Sequence, residues 1–114
     1  MEKLVSIIIP TYNSADFIAD TLASVQQQTY PNWEVILVDD GSTDITLAIA
    51  QNIAQTDYRI RIFQNPINSG TGVTRNNALH YSQGNYIAFL DADDLWKPNK
   101  LERQLQFMQE QQQP

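Results

Sequence analysis

Two short apolar segments of this 114-residue chain each run directly into a group of carboxylates. Residues 35–38 precede Asp39 and Asp40, and residues 86–90 precede an Asp-Ala-Asp-Asp sequence. Apolar runs of this length, bounded by turn residues, are typical of buried strands. In an open α/β sheet, ligands bind in the crevice outside the carboxyl ends of the strands. The two acidic groups therefore predict one site that handles a cation together with a polar ligand.

The composition indicates a single globular domain over residues 1–114. Apolar residues make up 42% and charged residues 18%, and the chain is long enough for one core. The net charge is −6 and the seven basic residues look scattered, which argues against a nucleic-acid surface. The lack of cysteine excludes disulfides, thiolate metal sites and cysteine nucleophiles. We see neither a signal-peptide layout nor an apolar run near the roughly 20 residues of a membrane helix. We therefore expect a soluble, cytoplasmic chain, and we leave membrane association of its parent protein open.

Strand-like and helix-like patterns alternate along the whole chain. We predict strands at residues 4–9, 33–38, 60–63 and 86–90, separated by helices, with a last helix after Pro98. Repeating units of about 25–30 residues are typical of parallel strands joined by helical crossovers. The prediction is an α/β fold, a Rossmann-like parallel sheet with helices on both faces. If the strands pair in the doubly wound manner, their order is 3-2-1-4.

Asp91 and Asp93 are the candidate metal ligands. They stand at positions i and i+2 where a strand ends, and an extended chain aims such side chains to the same side. Mg²⁺ and Mn²⁺ are hard cations that prefer oxygen ligands and often bind one or two carboxylates plus substrate phosphates. The alternative is that these acids only cap the next helix or face water. We favour that alternative for Asp94, which we expect to help start a helix near residues 96–99.

Asp39, Asp40 and Tyr12 are the candidate contacts to a nucleoside. A carboxylate at the end of the second strand can accept a hydrogen bond from a nucleobase ring N–H or hold a ribose hydroxyl. The alternative is a turn in which Asp-Gly-Ser changes the chain direction. We place one of the two acids in the ligand site. Tyr12 follows the first strand in the predicted crevice, where its ring can stack on a base.

Residues 68–76 form a glycine-bearing loop that leads into a helix. The N-terminus of a helix favours anions through its free N–H groups and its dipole. Arg75 would add a positive charge close to a diphosphate, or it would pair with a nearby acid, and the sequence does not separate these two interpretations. The loop matches neither a P-loop nor a Gly-x-Gly-x-x-Gly dinucleotide motif.

Taken together, several stretches resemble the nucleotide-sugar-binding half of inverting family 2 glycosyltransferases, which have the GT-A fold. They cover nearly the whole chain in the family's order and spacing. The matching stretches are Ser-Ile-Ile-Ile-Pro-Thr-Tyr-Asn at 6–13, Gln-Thr-Tyr-Pro-Asn-Trp-Glu at 28–34, Val-Asp-Asp-Gly-Ser-Thr-Asp at 38–44, Asn-x-Gly at 68–70 with Arg-Asn at 75–76, and Phe-Leu-Asp-Ala-Asp-Asp-x-Trp at 89–96.

The resemblance implies a donor domain that binds a nucleotide-diphosphate sugar, most often a UDP-sugar, together with Mg²⁺ or Mn²⁺. The sugar would be transferred to a saccharide or another hydroxyl acceptor, as in polysaccharide biosynthesis. By the same resemblance, Asp91 lies near the ribose and the metal, and Asp93 ligates the metal between the phosphates. The metal would neutralise charge on the leaving diphosphate.

The resemblance also assigns the nucleoside contacts. It implies that Pro10 and Tyr12 contact the nucleoside and that Asp40, with Asp39 beside it, contacts the base. The family's acceptor-binding half, which carries the general base, normally follows the Asp-x-Asp strand. We therefore expect residues 1–114 to be the truncated N-terminal part of a longer enzyme, inactive alone, with its base beyond residue 114.

Two other functions compete with this interpretation. A sugar-nucleotide pyrophosphorylase has a similar sheet, but it would need a glycine-rich loop with Arg and Lys after the first strand. A non-catalytic nucleotide- or carbohydrate-binding module would need no base. A structural consequence is also expected, because strand order 3-2-1-4 leaves residues 86–90 at an edge. Such an edge favours self-association.

Overall fold

The computed structural model describes residues 3–112, in which four strands and four helices alternate along the chain. The predicted order is confirmed, and the strand ends differ from the predicted ones by one or two residues. The elements are β1 (Val5–Thr11), α1 (Ile18–Gln26), β2 (Trp33–Asp39), α2 (Thr46–Ala54), β3 (Ile60–Gln64), α3 (Thr71–Tyr81), β4 (Tyr86–Phe89) and α4 (Lys100–Gln112).

The four strands form one parallel sheet in the order β3-β2-β1-β4. Ile8 of β1 is in register with Ile36 of β2 on one side and with Phe89 of β4 on the other. The predicted α/β fold and strand order are therefore confirmed. Because all strands run in the same direction, their carboxyl ends lie along one edge of the sheet.

Helices cover both faces of the sheet, which explains why the central strands are apolar without alternation. One face packs Ile7 and Leu37 against apolar residues of α1, α2 and α4. The opposite face packs Ile8, Ile36 and Val38 against Ala78 of α3. Within residues 3–112, no helix is both long and apolar enough to cross a bilayer.

The connections after β2 and β4 start their helices in different ways. Ile45 is the N-cap residue of α2 and provides no side-chain cap, but the Asp44 carboxylate before it accepts a hydrogen bond from the Thr46 backbone N–H at 2.9 Å. The helix expected near residues 96–99 is not present, and α4 begins only at Lys100. Pro98 explains the difference, because a proline disfavours helical geometry in the residue before it. The prediction for Asp94 as a helix start was therefore wrong.

Candidate functional site

A cleft of about 310 Å³ lies at the carboxyl ends of β1 and β4. It is lined by the loops that follow β1 and β4, by Asp40 after β2 and by the first turn of α3. Five of the seven predicted site residues line this cleft, namely Pro10, Tyr12, Asp40, Asp91 and Asp93. The structure therefore brings together residues that are up to 83 positions apart in the sequence.

Two exposed aromatic side chains form the wall of the cleft that follows β1. Tyr12 is 47% exposed and Phe17 is 52% exposed, and both line the cleft. The backbone between them turns at Asn13, whose φ of +46° is tolerated better by Asn than by most residues. The Asn13 side-chain oxygen accepts a hydrogen bond from the Thr43 N–H at 2.8 Å. This hydrogen bond therefore connects the loops after β1 and β2.

Asp40 is a buried carboxylate with one side on the cleft. Its Oδ1 accepts hydrogen bonds from Asn65 Nδ2 at 2.9 Å and from the Ser69 N–H at 2.7 Å. Its Oδ2 accepts one from the Gly70 N–H at 2.9 Å. Burial disfavours the charged form, but these hydrogen bonds outweigh it and hold the pKa of Asp40 below its usual value of 3.8. A carboxylate has about four acceptor positions, so Asp40 keeps acceptor capacity on Oδ2.

The same carboxylate occupies the N-terminus of α3. Ser69 and Gly70 immediately precede this helix, and both direct their N–H groups at Asp40. Gly70 has a φ of +94°, which glycine adopts readily. The anion held next to this helix end is therefore a side chain of the protein itself, whereas the sequence suggested a bound phosphate. Thr71 and Thr74 of the first turn still face the cleft.

Asp39 is not brought into the cleft. Its carboxylate accepts hydrogen bonds from the Ser42 N–H at 3.0 Å and from Ser42 Oγ at 2.5 Å, and it is 2% exposed. Gly41 lies between Asp39 and Ser42 and has a φ of +74°. A Cβ at this position would lie 3.0 Å from the Asn68 backbone nitrogen. Asp39 therefore makes the turn that aims Asp40, which is the structural alternative considered for this pair.

Residues 91–94, here called the acid turn, hold three carboxylates in one place. Asp91, Asp93 and Asp94 can bring oxygen atoms within 4.8 Å of one another, and all three are exposed. The expected extended geometry was wrong, because β4 ends at Phe89 and the Asp94 N–H donates to the Asp91 carbonyl at 3.0 Å. The turn adds Asp94 to the predicted pair. Three clustered carboxylates repel one another, and a hard cation would relieve that repulsion.

The acid turn is fixed to the body of the domain through α1. The Thr21 hydroxyl lies 2.8 Å from the Ala92 carbonyl oxygen and 2.9 Å from that of Asp94, and it donates to both. The backbone of the turn is therefore held on a buried residue, while its carboxylates remain exposed.

Arg75 lies beside the cleft without lining it. Its guanidinium is 3.7 Å from Asp91 Oδ1 and lies over the Phe89 ring at 5.7 Å from the ring centroid. Both partners of the ion pair are about half exposed, so the pair contributes little to stability. Of the two interpretations offered for Arg75, the structure has the ion pair with a nearby acid.

Phe17 stands directly before the apolar stripe of α1 in the sequence, yet its side chain is exposed in the cleft. It occupies the N-cap position of α1 without a side-chain cap, where Ser, Thr, Asp or Asn is usual. Ile18, Leu22 and Val25 already complete the buried stripe. In the sequence, Phe17 lies just before a complete apolar stripe and stands where a capping residue is usual. This position was the available indication that its side chain is exposed.

Comparison with known proteins relates this geometry to a family. The model of glycosyl transferase family 2 matches residues 6–113. TuaG of Bacillus subtilis, a glycosyltransferase assigned to teichuronic acid biosynthesis, is 53% identical over 109 residues. The Escherichia coli enzyme WfgD, named UDP-Glc:alpha-D-GlcNAc-diphosphoundecaprenol beta-1,3-glucosyltransferase, is 45% identical over 107 residues. These alignments cover 96% and 94% of this chain but only 43% and 42% of the relatives.

Solved structures show the same fold in proteins that bind nucleotide sugars. Staphylococcus aureus TarS in complex with UDP-GlcNAc has a TM-score of 0.87 and 37% identity, over 93% of this chain and 31% of TarS. The mannosyltransferase PcManGT from Pyrobaculum calidifontis, in complex with GDP-Man and Mn²⁺, has a TM-score of 0.79 and 32% identity. That match covers 84% of this chain and 29% of PcManGT. With a family match over almost its whole length and a GT-A sheet to support it, this chain belongs to glycosyl transferase family 2.

Proposed function

We propose that this chain binds the nucleotide part of a nucleotide-diphosphate sugar, UDP in the first instance, together with Mn²⁺ or Mg²⁺. Within the longer protein, this would serve transfer of the sugar to a hydroxyl of a saccharide or another acceptor. The observation that carries the proposal is one cleft that joins the Tyr12 ring, the Asp40 carboxylate and the acid turn. The complexes of TarS with UDP and UDP-GlcNAc and of PcManGT with GDP-Man and Mn²⁺ support it.

The nucleoside would lie at the Tyr12 end of the cleft. Stacking on the exposed face of Tyr12 suits any base, while a ring N–H donor suits the remaining acceptor position of Asp40. Pro10 lines the same wall. Asp39 would act from behind by holding the turn that aims Asp40. A uracil, which has one such N–H, fits this set of partners.

The diphosphate and the cation would lie at the acid turn. Asp91 and Asp93 would supply carboxylate oxygens to the cation, with Asp94 close enough to add a third. When bound, the cation would neutralise negative charge on the leaving diphosphate. A cation at Asp91 would compete with Arg75 for that carboxylate, and the released guanidinium would then pair with a phosphate.

WfgD is named for a glucosyl donor carried on UDP and an acceptor sugar carried on diphosphoundecaprenol. This name supports a UDP-sugar donor and a saccharide acceptor for the longer protein to which this chain belongs.

Metal-dependent binding of UDP tests the proposal. We expect titration calorimetry to detect UDP binding in the presence of Mn²⁺ and at least about tenfold weaker binding in EDTA, because Asp91 and Asp93 would hold the cation and its charge would offset that of the diphosphate. Asp93→Asn should lower the affinity in Mn²⁺ to the level found in EDTA. Equal affinity with and without metal would contradict the proposed metal site.

A matched control separates the acid turn from overall charge. Asp20→Asn removes the same charge from an exposed position on α1 and does not touch the acid turn. It should bind UDP as the wild type does. If Asp20→Asn and Asp93→Asn weakened binding equally, the effect would be one of net charge and the assignment of Asp93 would fail.

We also propose that the β4 edge of the sheet supports self-association. β4 is an outer strand of the sheet, and Ile87 and Phe89 on it are 39% and 51% exposed. The face of β4 that carries Ala88 and Leu90 is covered, in part by Leu101 and Leu105 of α4. The unpaired backbone groups of β4 and its two exposed apolar side chains favour pairing with another copy.

Light scattering over a concentration series checks this second proposal. We expect the mass-average to rise above 13.0 kDa with concentration. Ile87→Lys should shift the equilibrium toward monomer, because a lysine on an edge strand opposes strand pairing. An exclusively monomeric wild type at high concentration would contradict the proposal. Ile67→Lys, on an exposed loop position away from β4, is the control.

A further inference from the structure

A groove of about 570 Å³ lies between α4 and the segment that leads into it, outside the cleft described above. We call it the basic groove. Lys100, Arg103 and Phe107 lie on one stripe of α4, since they are separated by three and four residues. Leu95, Trp96 and Lys97 form the opposite wall. The groove therefore combines three cations with large apolar side chains.

The charge of the basic groove is opposite to that of the molecule. The chain has a net charge of −6, yet three of its seven basic residues, Lys97, Lys100 and Arg103, fall within seven positions. The expectation that basic residues are scattered was wrong for this segment. The three arginines outside it, at positions 59, 61 and 75, are each in an ion pair with an acid. Among the described side chains, the three groove cations form no such pair.

The apolar side chains of the basic groove are unusually accessible. Leu95 is 66% exposed and Phe107 is 60% exposed, while α4 buries Leu101 and Leu105 against the sheet. Lys100 Nζ lies 5.2 Å from the centre of the Trp96 ring, so the cation and the aromatic ring already share one surface. Exposed apolar groups flanked by unpaired cations are the pattern of a surface that lies on a membrane interface.

We propose that the basic groove docks the protein on an anionic lipid surface, with Leu95 and Phe107 entering the headgroup region and the three cations contacting lipid phosphates. Charge complementarity argues for this occupant, because a local positive patch on an acidic protein selects a negative surface. The exposed Leu95 and Phe107 argue for lipid over nucleic acid, because a phosphate backbone offers no apolar phase into which these side chains could insert.

This docking would place the donor cleft close to the membrane. Leu95 directly follows Asp94 in the sequence, so the basic groove begins where the acid turn ends. The inference goes beyond the proposed function and does not depend on it, because lipid docking requires neither a nucleotide nor a divalent cation.

Vesicle co-sedimentation of the 114-residue protein in EDTA and without nucleotide tests the inference. We expect binding to vesicles of equal parts phosphatidylglycerol and phosphatidylcholine at low salt, and little binding to phosphatidylcholine alone. Raising the salt to about 0.5 M should weaken it strongly by screening. The triple variant K97Q/K100Q/R103Q should lower the partition coefficient roughly 100-fold, since each basic group near such a surface contributes about fivefold.

A variant of equal net charge gives the matched control. Q51E/N52D/Q55E also makes the chain more negative by three charges, at exposed positions on and next to α2. It should keep most of the wild-type binding. The double variant L95S/F107S should lose binding with all cations present, and circular dichroism of each variant establishes that it is folded. Arg103→Gln alone, expected to lose about fivefold, covers the case in which a multiple variant does not fold.

Several outcomes would overturn the inference. The first is no binding of the wild type to anionic vesicles. The second is equal binding by K97Q/K100Q/R103Q and Q51E/N52D/Q55E. The third is retention of the protein by polyglutamate with none by vesicles, which would identify an acidic protein as the partner. Loss of UDP binding, with vesicle binding intact, would contradict only the proposed function.

Discussion

Carboxylates lie at both ends of the parallel sheet, and their surroundings differ in nearly every respect. At the amino ends of the strands, Glu34 is 6% exposed. Its Oε2 accepts hydrogen bonds from Ser6 Oγ at 2.6 Å and from the Gln83 N–H at 2.7 Å. Its Oε1 pairs with Arg61 at 3.2 Å. At the carboxyl ends, the three carboxylates of the acid turn are exposed, and among the described residues only Arg75 comes within ion-pair distance of one of them.

The difference distinguishes a structural carboxylate from one available to a ligand. Glu34 connects three strands and the loop before β4, because Ser6, in register with it on β1, also accepts the Gly84 N–H at 2.8 Å. Each of its oxygens already has a partner. The backbone of the acid turn is held through Thr21, and within the described part of the chain no group donates a hydrogen bond to its carboxylates. The fold does not offset the repulsion among the three carboxylates of the acid turn, and a bound cation would offset it.

Removing Glu34 is the strongest test of this contrast. Glu34→Ala should lower the free energy of unfolding by about 3 kcal/mol, because Arg61, Ser6 and the Gln83 N–H would lose their buried acceptor. Urea unfolding followed by circular dichroism measures the change. Glu34→Gln keeps one acceptor oxygen and should cost less.

Asp93→Asn provides the other side of the same comparison. It should change the free energy of unfolding by no more than about 0.5 kcal/mol, since an exposed carboxylate contributes little to the fold. If Asp93→Asn destabilised the protein as much as Glu34→Ala, the acid turn would be a structural element and the contrast would disappear.

Asp40 lies between these extremes, because it is buried and hydrogen bonded yet also faces the cleft. Its folded pKa is below the ordinary value of 3.8. It therefore stabilises the fold fully above that value, and this stabilisation is lost as the pH falls through the folded pKa. Asp40→Asn should cost about 2 kcal/mol at pH 7, since an amide cannot accept from all three donors. The free energy of unfolding of Asp40→Asn should also decrease less steeply than that of the wild type as the pH falls.

Urea unfolding of the wild type and Asp40→Asn between about pH 7 and pH 2 measures both effects. Some acid sensitivity should remain in the variant, because hydrogen bonds from Arg59 also lower the pKa of Asp57. Parallel curves for the two proteins over the acid range would mean that Asp40 does not titrate with folding. That result would contradict the role given to its hydrogen bonds.

Much of the site was predictable because it depends on where strands end. The apolar runs before Asp40 and Asp91 located the carboxyl ends of β2 and β4, and parallel pairing brings those ends to one edge. Two features were not predictable. Phe17 is turned into the cleft by the loop after β1, and Asp39 is turned away from it by the bond to Ser42. Both depend on the local backbone path, which hydrophobic periodicity does not encode.

The sequence by itself determined the order of strands and helices along the chain, the continuous apolar strands and the position of two acidic groups, since these follow from hydrophobic periodicity. Only the tertiary structure decided which carboxylates are satisfied. Asp40 receives its hydrogen bonds from residues 25 to 30 positions away, whereas no residue within 3–112 donates a hydrogen bond to the carboxylates of the acid turn. Whether a carboxylate receives hydrogen bonds depends on which backbone and side-chain donors lie near it in space, and that is decided only when the helices and strands pack together.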